Sequence, residues 1–84
     1  MSTDELLFKL HLCSLKAYDE SKCRYPEWGW QNLEWYISTD RAPLEFIKAV
    51  ESLSEKRMVT LIRKASCGCL TSGIAMAKKY LGLI

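Results

Sequence analysis

Eighty-four residues carry 49% hydrophobic and 26% charged side chains at a net charge of only +2. That balance excludes a disordered chain, and the length admits one core, near the lower limit at which a core folds without staples. The opening Met1-Ser2-Thr3-Asp4-Glu5 is too polar for a signal peptide, and no apolar run reaches membrane-spanning length. With four cysteines and no export signal, the expectation is a single cytoplasmic domain over 1–84 with free thiols and no membrane contact.

In chain order, Ser2 to Tyr18 reads as the first helix. Ser2-x-x-Glu5 has the capping-box form, and Asp4 and Glu5 place negative charge at the positive end of the helix dipole. Leu6, Leu7, Leu10, Cys13 and Ala17 make one apolar stripe, which Phe8, Leu12 and Leu15 widen past a single face. A helix apolar this far round is buried on two sides or packs on another subunit. Asp19 to Gln31, broken by Pro26 and Gly29, reads as an irregular connection dense in Tyr25, Trp28 and Trp30. Those rings either cap the core of a small domain or form an aromatic patch for a protein partner.

Asn32 to Ser38 reads as a short second helix with Leu33, Tyr36 and Ile37 inside, and Thr39 to Ala42 as a compact turn. A third helix is expected over 43–56, with Pro43 in its first turn and Phe46, Ala49, Val50 and Leu53 on its buried face. The period then changes. Met58-Val59-Thr60-Leu61-Ile62 is compactly apolar and β-branched and reads as a strand. Ser66 and Gly68 offer turn chemistry, Cys67 to Leu70 a short returning strand, and Thr71 a cap for a closing helix over 71–81 carrying Ile74, Met76, Ala77 and Leu81.

Leu53-Ser54-Glu55-Lys56-Arg57-Met58-Val59, a basic turn, and then Cys69-Leu70-Thr71-Ser72-Gly73 resemble the second half of a winged-helix domain of small microbial DNA-binding regulators. Arg57 stands where that family usually has glycine. The resemblance implies a mainly α fold with a small antiparallel β-hairpin (α+β): three helices, a strand, a wing, a strand and a last helix, in winged helix-turn-helix order. In DNA-binding members of such folds the second helix of the helix-turn-helix enters the major groove.

Charge distribution fits that expectation in part. Residues 43–84 hold seven basic and three acidic side chains, and residues 1–42 hold five and seven. On the winged-helix reading, residues 43–56 are the recognition helix and residues 63–67 the basic wing. Arg41, Glu45, Lys48 and Ser52 then face the groove of double-stranded DNA, and Arg63 and Lys64 its phosphates. The alternative reading makes the same fold a protein-interaction module, a subunit or inhibitor of a nucleic-acid-handling complex. Its anchors are Leu44, Ile47 and the Tyr25, Trp28 and Trp30 segment. The first helix and the end of the chain are candidate seams of a homodimer.

Chemistry finds little purchase. The one histidine, His11, has no acid or nucleophile placed with it, and no phosphate loop, nucleophile elbow or metal-binding helix motif is present, so the chain reads as a non-enzyme with no cofactor. Cys13, Cys23, Cys67 and Cys69 supply enough sulfur for a metal site, but the C-x-C spacing is tighter than a zinc knuckle and the rest are distant, so core thiols are the expectation.

Overall fold

The computed structural model describes residues 3–20, 26–67 and 70–84. They form five helices: α1 (Thr3–Glu20), α2 (Pro26–Ser38), α3 (Leu44–Glu51), α4 (Glu55–Ala65) and α5 (Leu70–Tyr80). Among the described residues there is no strand, so the α+β, winged helix-turn-helix expectation is overturned. The segment read as strand and wing is α4. Gly68 and Cys69, assigned to the hairpin, lie outside the described residues.

The reason lies in the spacing of the buried side chains. Met58, Val59, Leu61, Ile62 and Ala65 are the buried residues of α4. Their offsets of 0, 1, 3, 4 and 7 make one helical face, visible only when the window extends past Ile62 to Ala65. Lys56, Arg57, Thr60, Arg63 and Lys64 take the other side of the helix, half-exposed or fully exposed. Ser54 starts the helix: it is extended, and its hydroxyl accepts from the backbone N–H of Arg57 at 3.3 Å. Arg57, at the place of the family's glycine, is thus in a first turn and not at a helix stop. Arg63 and Lys64 in the last turn suit the negative end of the dipole. Ser66 ends α4 as its C-cap, with its hydroxyl donating to the Ile62 carbonyl at 2.8 Å.

The same shift corrects its neighbours. The helix expected over 43–56 is only α3, because Ser52 closes it, its N–H donating to the Lys48 carbonyl at 3.1 Å, and Leu53-Ser54 turns the chain into α4. Pro43 is the N-cap, not a residue of the first turn. α2 starts at Pro26, so Trp28, Gly29 and Trp30 are helical and not part of an irregular loop; residues 21–25, Cys23 and Tyr25 included, lie outside the described residues. Asp40 takes a left-handed φ of 57° in the α2–α3 turn, a conformation aspartate tolerates better than most. α5 begins at Leu70, so Thr71 lies inside the helix it was expected to cap. Past its end Gly82 adopts φ 77°, Leu83 N–H reaches the Lys78 carbonyl at 3.0 Å and Gly82 N–H the Lys79 carbonyl at 3.1 Å. That pair of bonds is a Schellman stop, which glycine makes cheap.

α4 is the centre of the molecule, packed against α1, α2 and α5. Two glycines allow the approach. A methyl group at Gly29 of α2 would collide with the Ile62 carbonyl, and one at Gly73 of α5 with the Ala65 carbonyl. Asn32 of α2 donates its side-chain amide to that same Ala65 carbonyl at 2.8 Å. Phe46, Leu6, Leu10, Leu33, Met58, Leu61, Ile62 and Val50 are the largest fully buried side chains. Tyr36 meets Phe46 edge to face at 5.0 Å. None of the helices is long and apolar enough to cross a membrane.

Candidate protein-docking face

α1 divides its apolar residues between two destinations. Leu6, Leu10, Cys13 and Ala17 are buried in the core. Phe8, Leu12 and Leu15, at offsets of 0, 4 and 7, run along the opposite, solvent side, where they remain 64%, 45% and 55% exposed. They form a ridge about 10 Å long at the helical rise of 1.5 Å per residue. Scattered single leucines on a surface are ordinary, but three large ones aligned on one helix face are a contiguous patch of the kind that marks interaction sites.

Each flank of the ridge is a shallow depression. On one side Asp4, Leu7, Phe8, His11 and Trp30 line a hollow. There the Trp30 ring meets the His11 ring edge to face at 4.9 Å, and Trp30 Nε1 donates to the Leu7 carbonyl at 3.4 Å. On the other side a groove of about 440 Å³ runs between α1 and the start of α4, lined by Lys9, Leu12, Cys13, Leu15, Lys16 and Glu55. Its charged groups are already engaged: Lys9 Nζ donates to the Leu53 carbonyl at 3.2 Å, and Lys16 pairs with Glu55. Burial pushes the Cys13 thiol up, with Lys9 and Lys16 pulling it partly back, so at neutral pH it is an uncharged wall of the groove. What remains for a visitor is apolar.

Of the residues expected at a DNA groove, Glu45, Lys48 and Ser52 lie on or at the end of α3, whereas Arg63 and Lys64 are in the last turn of α4. Arg41 stacks over the Trp35 ring at 4.9 Å in a groove between α2 and α5. Glu45 and Lys48 are exposed on α3, and the Ser52 hydroxyl is committed to the Ala49 carbonyl at 2.8 Å. Arg63 lines a second groove with Lys16, Ser54 and Lys56, its guanidinium 3.4 Å from Thr60 Oγ1. Lys64 borders a third with Met76, Lys79 and Tyr80. The basic wing of residues 63–67 is the last turn and cap of α4.

The alternative anchors differ in exposure. Leu44 and Trp28 are exposed, whereas Ile47 and Trp30 are half-buried against the core. Cys13 and Cys67 are free thiols, the first buried and the second exposed. Among the described residues no three of His, Cys, Asp and Glu gather as metal ligands would. The residues that stand out, Phe8, Leu12 and Leu15, were visible in the sequence as apolar positions beyond one helix face; their helical spacing gives the direction in which they point.

Comparison with known proteins returned no match to a family model, a curated protein or a solved structure.

Proposed function

We propose that this chain is a non-catalytic protein-interaction domain that docks through the outer face of α1. One observation carries the reading: three large apolar side chains in helical register are held in solvent on the side of α1 opposite the core. The flanking groove suits it, because its cations are satisfied internally and its floor is uncharged, so an apolar side chain of a partner loses no polar contact on entering. Rigid helices that expose an apolar ridge beside a groove are partners for amphipathic helices. The winged-helix route to DNA is not carried forward, because the ribbon it needs is replaced by α4. We place the domain in the cytoplasm, a setting supported by the unpaired thiols of Cys13 and Cys67.

A photo-crosslinking amino acid at Leu12, with the exposed Ser38 as control position, tests the proposal in cells. A discrete protein adduct at Leu12 that disappears with Leu15→Glu supports it. Equal labelling from both positions, or none at Leu12, rejects it. Sedimentation of the purified chain at rising concentration separates a second copy, which the same ridge could seat as a homodimer, from a different protein.

A further inference from the structure

The groove between the end of α2 and α5, where Arg41 stacks on Trp35, differs in its electrostatics from the α1 groove. It measures about 460 Å³, and Trp35, Tyr36, Leu70, Ile74, Ala75 and Ile84 supply much of its wall. Two cationic side chains border it, and no acidic side chain does. Arg41 is held over the Trp35 ring at 4.9 Å and Lys78 over the Tyr36 ring at 5.3 Å. Among the described residues neither cation forms an ion pair, whereas Lys16 of the α1 groove is paired with Glu55. Ring contacts fix where the two positive groups are while leaving their hydrogen-bonding capacity unused.

We propose that this groove binds an acidic peptide segment of a partner protein, an apolar side chain entering between Trp35 and Ile74 while flanking carboxylates pair with Arg41 and Lys78. Charge complementarity sets the sign of the occupant, since an apolar floor between two unpaired cations repels a basic segment and leaves a neutral one without partners for them. Arg41 presents a planar fork suited to a carboxylate, and Lys78 a point charge. The negative end of α5 does not oppose an anion here: the Lys78 and Lys79 carbonyls accept from Leu83 and Gly82 N–H. Two cations are too few for a nucleic-acid track, and a bare phosphate would leave the apolar floor unused. This site is separate from the α1 ridge and does not depend on it.

The probe is a fluorescein-labelled peptide with two leucines flanked on both sides by glutamates, compared with a twin carrying glutamine at each glutamate. Fluorescence anisotropy at low salt should show the acidic peptide binding about tenfold tighter, the gain expected when two charge-assisted contacts form. Amide shifts of the labelled protein should concentrate at Leu70, Ile74 and Lys78, and Trp35 emission should change. Arg41→Gln with Lys78→Gln should reduce the acidic peptide to the affinity of its twin. Should that pair lower the melting temperature, Ala75→Glu, an exposed position on the groove wall, gives the same readout. Leu12→Glu should leave binding unchanged, so failure here and failure of the α1 reading are told apart. Equal affinity for both peptides, shifts centred on Phe8 and Leu12, displacement by a DNA duplex at matched charge, or no binding at low salt each overturns the proposal.

Discussion

α4 and α1 are rich in the same kinds of side chain, yet they do opposite things with them. Every large apolar residue of α4 is inside the domain, where three helices close over it. α1 buries Leu6 and Leu10 and leaves Phe8, Leu12 and Leu15 in water. The difference shows that hydrophobic content does not separate a residue that holds the fold from one that is available to another molecule. Registry on the helix does. It also fixes which substitutions should harm the fold and which only its contacts.

The largest effect should come from the centre of α4. Leu61→Ala is expected to cost about 2–5 kcal/mol, the range for emptying a fully buried leucine site, and chemical denaturation measures it. Gly29→Ala should follow at about 1–3 kcal/mol, because the added methyl must push α2 away from the Ile62 carbonyl. A melt that matches the parent would show that the two helices can part freely. Ser54→Ala removes the cap of α4 and should cost about 1 kcal/mol, a loss that Ser54→Asp restores.

On α1 the contrast reverses. Leu12→Glu or Leu15→Glu should move stability by less than about 0.5 kcal/mol, as expected at an exposed site, while abolishing the Leu12 crosslink. A cooperative loss of several kcal/mol from either would mean that the ridge belongs to the core. Smallest of all is a kinetic difference: an alkylating reagent at pH 8 should modify exposed Cys67 well before buried Cys13. The same raised thiol gives a linkage with a definite sign. Its contribution is full below the ordinary cysteine value of 9.0 and is lost as pH climbs through the higher folded value, so Cys13→Ala should flatten the alkaline fall in stability.

Much of the α1 core face and the closing helix was legible in the sequence, because Leu6, Leu10, Cys13 and Ala17, and later Ile74 and Ala77, repeat with a clear helical period. The middle of the chain was not. Five residues from Met58 to Ile62 fit a strand as well as a helix, since β-branched and apolar side chains fill two adjacent helical positions as readily as two faces of a sheet. Only Ala65, small and easily read as turn, completes the helical face. Trp28 and Trp30 were obscured differently: Gly29 between them looks like a break, but its missing side chain serves contact with α4 and not flexibility. The α1 ridge was half legible, as the surplus apolar positions could be counted but whether a second layer covered them could not. The meeting of Arg41 with Lys78 was hidden, since the two are brought to one groove only by the packing of α2 on α5.

The Ala65 carbonyl has a consequence for how the molecule opens. Both end turns of a helix ordinarily fray before its middle, because nothing beyond them holds the spiral closed. Here α2 grips the last turn of α4 through Asn32 and α5 lies against it at Gly73. Deuterium uptake along α4 should therefore begin at the Ser54 end and reach Ala65 last, the helix unwinding toward its most protected point.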